Sequence, residues 1–583
     1  LYLEGSDRGL IAHYKFDDNL DNAVGTNELS INPANTSGNI TYITDGVFEE
    51  ALDLDTFKYV LDSQSVLNAY NSSYFSVSLW CKIYATVSPA VMILSKYEEG
   101  SYRGSARGGL QIIVESNNTI KVERLNSSAS WQRNYSTAIS LNTWVYLTVV
   151  CDGNDTRLYV NNTHQQTQTS ASGWNTISST TSTGSTDYRW GIGTYLYDGT
   201  IHSHASSMDD TPEYYLDDFR IYDRALSAAE VKELYYAQYI KRGSIPNSTE
   251  EYIAFKYNPN TAVSGQTEYT INFPQDTECD ILIVGGGGGG GYNTAGGGGS
   301  GAGIISLNNT FNGTYTIKVG NGGAAGISGS VTGSNGYDST ISKSSQILFN
   351  AKGGGGGGDS SSIGNQGGSA GGSGNGNTTS QTPLNTNVVN GTTNVSPVSA
   401  GTISVSGQDY IVLGTSGGEG AGGDAGGGYG YEDINGGGGG GLGQVGQNAA
   451  RTTPPGDGGD GIYKVSINST DYNLKEYFSP NSTFGVYNAT DTYYYIGGGG
   501  GGGGYQVTAR TTEGGLGGGG NGRDAGGGGV AGSGINHTGS GGGGGEGNSH
   551  TPGAGGSGIV IIRYATSVTI TTQVVDPKLS SLS

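Results

Sequence analysis

Positive charge is scarce in this chain. It carries 28 Lys and Arg against 50 Asp and Glu, a formal net charge of −22. No basic patch offsets that balance, which excludes a partner held through a phosphate backbone, so no nucleic acid is expected. Long apolar runs are absent as well. None reaches the roughly 18 consecutive residues of a membrane-crossing helix, so no membrane span is expected. Three cysteines, Cys81, Cys151 and Cys279, allow one disulfide at most. Six histidines include no His-Glu-x-x-His pair or comparable metal-ligand spacing. Proline is sparse: six fall within 281–565, a window that holds all but 17 of the 109 glycines, close to one residue in three. With no strict Gly-X-Y period, that composition excludes collagen. The chain opens at Leu1 with neither methionine nor a signal sequence, which reads as a processed or partial product.

What is abundant is glycine in uninterrupted runs. Ile281-Leu-Ile-Val284 feeds Gly285–Gly291, and further runs occupy Gly353–Gly358, Gly436–Gly441 and Gly497–Gly504. Shorter ones lie at Gly517–Gly520, Gly526–Gly529 and Gly541–Gly545. Asp280-Ile-Leu-Ile-Val-Gly-Gly-Gly imitates the start of a dinucleotide-binding fingerprint. That fold needs a helix next and an acid about 20 positions on. Tyr292-Asn-Thr-Ala followed by four glycines will not make a helix, and the next acid is Asp338, so the cofactor reading fails. An unstructured linker is the plain alternative. Against it, apolar pieces such as Ile304-Ile305, Tyr410–Leu413 and Ile559–Ile562 separate the runs and need burial.

Ordered polyglycine can adopt the extended threefold helix, rising about 3.1 Å per residue, with every amide pointing outward. Neighbours satisfy those amides only if they too lack side chains. Glycine costs roughly 0.5–1 kcal/mol more than alanine to order, so only a dense shared hydrogen-bond lattice offsets it. Several runs must therefore occur together. The stretches Tyr315–Val319, Ile403–Leu413, Tyr463–Ile467 and Gly558–Tyr564 read as strands flanking such a lattice.

Residues 1–240 differ. Short β-rich runs, Phe75–Trp80, Leu110–Val114, Trp144–Val150 and Arg157–Val160, alternate with turn residues, and Asp152-Gly153 marks a hairpin. This pattern predicts an antiparallel sandwich. Ser227-Ala-Ala-Glu230 is a capping box that opens one helix through Val231 and Leu234. Eighteen Asn-x-Ser/Thr sequons, none with a central proline, point to N-linked glycans: Asn35, Asn39, Asn71, Asn117, Asn126, Asn134, Asn154, Asn161, Asn247, Asn308, Asn312, Asn377, Asn390, Asn394, Asn468, Asn481, Asn488 and Asn536. The alternative is that a surface rich in Asn, Ser and Thr makes sequons incidentally. Tyrosines number 39 against 11 phenylalanines, including Tyr493-Tyr494-Tyr495; they suit either sugar-stacking surfaces or a local core.

Four segments carry a family resemblance. Gly9–Asp18 looks like the opening strand of laminin-G-like, concanavalin A-like jelly rolls, and Phe75–Trp80 resembles their inner strand. Trp144–Asn161 resembles their central hairpin, and Leu216–Val231 is similar to their closing strand and helix. Members bind glycans, proteins or only structural neighbours. The resemblance implies a calcium ion near the chain ends, with Asp217 and Asp218 plus Asp17 or Asp18 as matching ligands. The alternative is that these acids cap loops or pair with Arg220 or Arg224. Related pentraxin-type domains bridge the strands that here carry Cys81 and Cys151. Both cysteines sit about three residues later than in that pattern, and on antiparallel strands the two shifts move them apart. Glucanases on this sandwich use Glu-x-Asp-x-x-Glu. The nearest cluster here, Glu213 to Asp218, lacks that spacing, so no enzyme is expected. Residues 280–565 resemble the glycine-rich domains of viral and phage fibre proteins and of some algal surface proteins. In phage adhesins, similar runs pack as a polyglycine-II sandwich.

The expected fold is mostly β. A jelly roll spans 1–240, a β-rich junction 241–280, a glycine-rich polyglycine-II/β lattice 281–565, and a C-terminal strand and tail 566–583. The tail strand Ser567–Val575 has no obvious partner and suggests strand addition to a neighbouring subunit. The expected function is an extracellular glycoprotein that self-associates as a structural subunit of a surface filament or fibre, such as a flagellar hair or a viral fibre. Its jelly roll would face glycans or surface glycoproteins. The alternative is a discrete adhesin that recognises host glycans without polymerising.

Overall fold

The computed structural model describes residues 8–17, 19–24, 29–31, 41–54, 60–62, 73–84, 91–99, 109–125, 131–170, 191–192, 195–197, 200–202, 214–327, 331–360, 362–374, 379, 382, 386–388, 393–395, 404–405, 410–419, 434–449, 455–479, 484–505, 512–523, 530–546, 551–568 and 570–575. Two units divide the chain, Leu1–Gln238 and Tyr239–Ser583.

The first unit opens with β1 (Leu10–Tyr14), β2 (Leu29–Ile31), β3 (Thr41–Gly46), β4 (Glu49–Leu54) and β5 (Val60–Asp62). There follow β6 (Tyr74–Ile83), β7 (Val91–Glu99), β8 (Gly109–Val114), β9 (Thr119–Leu125) and β10 (Trp131–Ala138). Next come β11 (Val145–Asp152), β12 (Asp155–Val160), β13 (Thr163–Thr169), β14 (Gly191–Ile192), β15 (Tyr195–Tyr197) and β16 (Thr200–His202). It closes with β17 (Tyr214–Tyr222) and helix α1 (Ala228–Tyr236). One sheet runs β13-β12-β11-β6-β17-β4-β3 with β1 on β17; the other runs β10-β9-β8-β7-β14-β5-β2. This is the β-sandwich that the alternating runs predicted.

Its core follows from period two. Phe75, Val77, Leu79, Cys81 and Ile83 of β6, with Val145, Leu147, Val149 and Cys151 of β11, form one buried cluster with residues of the opposite sheet. The other face of these strands is covered too. Ser76, Ser78 and Trp80 are buried, and α1 brings Tyr235 onto Trp80 at 5.6 Å between ring centroids. Both capping-box bonds of Ser227 and Glu230 form at the start of α1. Partial burial pushes the Glu230 carboxyl up, but hydrogen bonds from Arg224 and Ser227 prevail and hold it at about 2.

The second unit is centred on β20 (Gln266–Val284), preceded by β18 (Ile240–Ser244) and β19 (Glu250–Lys256). Then come β21 (Gly303–Gly320), β22 (Ser339–Lys343), β23 (Gln346–Ala351), β24 (Thr386–Val388), β25 (Thr393–Val395), β26 (Ser404–Val405), β27 (Tyr410–Leu413) and β28 (Ile434–Asn435). The remaining elements are β29 (Lys464–Ile467), β30 (Thr470–Asn473), α2 (Leu474–Phe478), β31 (Val486–Tyr487), β32 (Tyr494–Tyr495), β33 (Gly504–Tyr505), β34 (Ile559–Ala565) and β35 (Thr571–Val574). The main sheet orders them β18-β19-β34-β20-β21-β22-β23-β24-β25. The strands of 241–280 are thus not a separate junction, since they belong to the sheet that carries the glycine runs. Ile281 and Ile283 enter one apolar cluster and Leu282 and Val284 another, so both faces of this stretch are buried. Burial on both faces explains four consecutive apolar residues.

Past Val284 the chain leaves the sheet and becomes a lattice strand. The amides of Gly285, Gly288 and Gly291 donate to Ala302, Gly299 and Gly296; those of Gly286 and Gly289 to Tyr337 and Ser334; those of Gly287 and Gly290 to Gly556 and Gly553. The carbonyls from Gly286 onward are used with the same period: Gly286 and Gly289 accept from Gly354 and Gly357, Gly287 and Gly290 from Gly323 and Gly326, and Gly288 and Gly291 from Gly542 and Gly545. One run therefore touches six others, three as donor and three as acceptor, in a repeat of three residues. That is the polyglycine-II arrangement. No helix follows Gly291; a turn at 292–294 leads straight into the next run.

The tail corrects one expectation. β35 pairs antiparallel with Tyr269–Asn272 of β20 in its own chain, so this strand is not left over for a neighbouring subunit.

Candidate functional site

A β-bulge interrupts β17 between Asp217 and Arg220, with Asp218 at φ +52°. The bulge gives the two adjacent carboxylates different partners. The Phe48 N–H donates to Asp217 Oδ2 at 2.9 Å, while Asp217 Oδ1 is buried with no partner. Burial pushes the Asp217 carboxyl well above its usual range, and the charges of Asp218 and Asp17 add to that. Asp218 instead accepts from Arg220 Nη2 at 2.9 Å and lies 2.7 Å from His13 Nε2. Burial pushes its carboxyl up, yet Arg220 and His13 outweigh burial and hold it below the ordinary value. Burial and the Arg220 charge lower the His13 pKa despite Asp218, so the His13 contact is a hydrogen bond from a neutral ring at pH 7 rather than an ion pair.

The expected calcium set, Asp217 and Asp218 with Asp17 or Asp18, is therefore not assembled among the described residues. Asp218 is committed to Arg220 and His13, the pairing alternative, and Asp18 lies outside the described residues. Among the described residues no group of three or more His, Cys, Asp or Glu is arranged to hold a metal. Two carboxylates, Asp17 and Asp217, remain close enough to perturb each other, and the orphaned Asp217 Oδ1 fits an oxygen-seeking cation.

The cysteine pairing is also corrected. β6 and β11 register Cys81 opposite Val145 and Cys151 opposite Phe75. Six ladder positions separate the two thiols, roughly 20 Å along the strands, far beyond disulfide reach. Cys81, Cys151 and Cys279 are free and buried.

The sequons separate by environment. Asn134 is buried at 1% exposure and its Nδ2 donates to the Thr156 carbonyl at 2.7 Å, which removes it as an acceptor in the folded protein. Asn117, Asn154, Asn247, Asn308, Asn312, Asn468 and Asn536 are exposed, and Asn161 and Asn488 half-buried. Asn161, Asn247, Asn308 and Asn468 hold positive φ, so part of the asparagine content serves turns. The Asn117 side chain accepts from the Thr119 backbone and hydroxyl. Asn35, Asn39, Asn71, Asn126, Asn377, Asn390 and Asn481, and the side chain of Asn394, lie outside the described residues.

One polar face was not anticipated. Edge strands β10 and β13 of the two sheets are bridged by glutamines. The amides of Tyr135 and Thr137 donate to Gln166 and Gln165 side-chain oxygens at 2.8 and 3.1 Å, and Gln168 Nε2 donates to Gln132 Oε1 at 3.1 Å. Tyr135 is 45% exposed beside them. The run Thr163-His-Gln-Gln-Thr-Gln168 signals this face, being a strand with no apolar residue and so an edge.

With both units described, their likeness to known families can be placed. Residues 56–232 match the concanavalin A-like lectin/glucanases superfamily. Residues 261–565, over half the chain, match the glycine-rich domain. The chain belongs to the glycine-rich domain family. The match covers β20, every lattice run and β34, so the glycine-rich domain and the lattice with its central sheet coincide. No curated relative matches the chain. Among solved structures it is similar to domain 4 of AbnA, an extracellular arabinanase from Geobacillus stearothermophilus in complex with arabinotriose, at 18% identity over 39% of this chain and 98% of that one, TM-score 0.29. It is similar to the receptor-binding domain of botulinum neurotoxin D at 14% identity over 59% and 89%, TM-score 0.31. No helix among the described residues is long and apolar enough to cross a membrane.

Proposed function

We propose that this protein is an extracellular, non-enzymatic, glycan-binding glycoprotein of a surface filament or fibre. Its sandwich carries the binding face and its glycine lattice is a stiff scaffold. The observation that carries this reading is the glutamine-bridged edge of β10 and β13. Amides fixed by backbone hydrogen bonds keep a constant geometry, and exposed Tyr135 offers a ring for the apolar face of a sugar. Glycans for this protein itself would sit on exposed sequons such as Asn117 and Asn154. A calcium ion, held by Asp17 and Asp217, would fill the unmet valence of Asp217 Oδ1 and fasten β17 to the neighbouring loop.

A second reading, a discrete adhesin that does not polymerise, is supported by one observation: β35 pairs inside its own chain, which occupies a strand that could have joined subunits. A glycan array probed with the full chain and with Tyr135→Ala tests the binding face. The variant should lose about tenfold in affinity, roughly 1.4 kcal/mol. Equal binding by both chains would refute the assignment to this edge. Electron micrographs of the purified protein separate the two settings: discrete particles fit an adhesin, regular filaments a subunit.

A further inference from the structure

Where three lattice runs end together, the second unit holds a cleft of about 250 Å³. Its walls are Gln444, Asp460, Tyr463, Lys464, Ser466 and Tyr495. We propose that this cleft is a separate saccharide site, taking one or two neutral sugar rings.

The floor is rigid because the lattice makes it. Gly443 and Gln444 amides donate to the Asp460 carbonyl at 2.9 and 3.0 Å, Leu442 N donates to Gly497 O at 2.8 Å, and Ile462 and Ile496 exchange two backbone bonds at 3.0 Å. Each glycine run that arrives here is locked along its length, so the groups at its end inherit fixed positions. The walls are aromatic. Tyr463 stacks on Tyr493 at 4.2 Å with 12° between planes, and Tyr495 tilts against Tyr463 at 5.1 Å. Tyr495 is itself held, its hydroxyl donating to Asp491 Oδ2 at 2.6 Å.

Charge decides the ligand class. The lining holds one carboxylate, Asp460, and one ammonium, Lys464. Asp460 Oδ1 already accepts from Leu516 N at 2.8 Å, and Lys464 pairs with Asp471 at 3.3 Å. With its one ammonium taken up by Asp471, the lining keeps a single carboxylate, which disfavours an anionic ligand. Exposed Gln444 and the tyrosine rings suit instead a molecule with hydroxyls on its rim and an apolar C–H face, which describes a neutral pyranose or furanose. The volume lies below that of pockets for drug-sized ligands, which limits the occupant to one or two rings.

The test is isothermal titration of the full chain with maltose, lactose, cellobiose, arabinotriose and sialyllactose, at low and high salt. A neutral sugar should bind with an affinity that salt does not change. Tyr495→Ala and Gln444→Ala should each weaken it about tenfold, while Tyr135→Ala on the sandwich leaves it unaltered. Gln444 is exposed, so its variant reads out even if removal of Tyr495 perturbs local folding. Tyr495→Phe keeps the ring and should retain most of the affinity. Absence of binding by any neutral sugar overturns the proposal, as does preference for sialyllactose that falls with salt, or binding abolished by Tyr135→Ala alone. That last result would leave the sandwich face standing and this cleft refuted.

Discussion

Gly288 offers the sharpest test of the lattice. A Cβ at this position would sit closer than 3.0 Å to the carbonyl oxygen of Gly355, a backbone atom that has no rotamer by which to escape. Gly288 donates to Gly299 at 2.8 Å and accepts from Gly542 at 2.9 Å; Gly355 donates to Ser369 at 2.9 Å and accepts from Gly299 at 2.8 Å. Separating the two runs strains all four bonds in a buried region. At about 1–3 kcal/mol for each buried group left unsatisfied, Gly288→Ala should destabilise the unit by at least about 4 kcal/mol. The reduced entropy of the unfolded chain returns less than about 1 kcal/mol of that. The matched control is Gly303→Ala, whose nearest neighbour is a side-chain atom, Leu442 Cδ1 at 3.3 Å, and which should change stability by less than about 1 kcal/mol. All five tryptophans fall within 1–240, so their fluorescence follows the sandwich alone while limited proteolysis follows the lattice. Gly288→Ala should lower the temperature of lattice proteolysis by roughly 5 °C or more, leaving the fluorescence transition in place. A shift no larger than that of Gly303→Ala would refute close packing of the runs.

Four further outcomes follow from the geometry. Ser227→Ala should cost the sandwich about 1 kcal/mol in urea unfolding followed by fluorescence. Because the Glu230 carboxyl is held at about 2, its contribution is present above pH 4.5 and fades as pH falls toward 2; Glu230→Gln should flatten that slope, worth on the order of 1 kcal/mol given the partial exposure of the side chain. Burial, with the Lys256 charge adding, lowers His537 to about 3, so the unfolded chain takes up a proton first and lattice stability should fall as pH drops from 6.5 toward 3; proteolysis across that range should show it, and His537→Asn should remove it. Three thiols per chain should react with a thiol reagent in denaturant and almost none in the native protein, since burial pushes Cys81 up to about 12 and encloses the others; resistance of Cys81 and Cys151 to the reagent in denaturant would contradict the register of β6 and β11.

What could be read from the sequence depended on how local the determinant was. The capping box at Ser227 and the hairpin at Gly153 involve near neighbours in the chain, and both form as the residues indicate. The glycine runs were legible as a set because an amide without a side chain to shield it requires other bare backbones nearby. Which run pairs with which was not legible, since one glycine carries no mark to distinguish it from another. At the carboxylate corner, a single left-handed residue, Asp218, gives two adjacent acids separate partners, and no spacing rule announces a bulge. The cysteine register was hinted at by their late positions. Ser76, Ser78 and Trp80 look like the solvent side of an alternating strand, yet all are buried; Leu226 covers Ser76 and Tyr235 of α1 covers Trp80, both some 150 residues later. The tail strand seemed solitary because its partner, the first half of β20, lies nearly 300 residues earlier.

The interleaving of the runs has a consequence in time as well as in space. Gly287 and Gly290, early in the lattice, donate to Gly556 and Gly553, and β34 inserts between β19 and β20 at the centre of the sheet. The earliest pieces of the second unit therefore wait for its latest. Residues up to Gly556 must leave the ribosome before the first glycine run can find the last two of its six partner runs, while the sandwich closes on residues made long before. Synthesis thus yields a finished sandwich trailed by a long, side-chain-poor segment whose lattice is complete only when its last runs arrive, like a zip whose slider is fitted last.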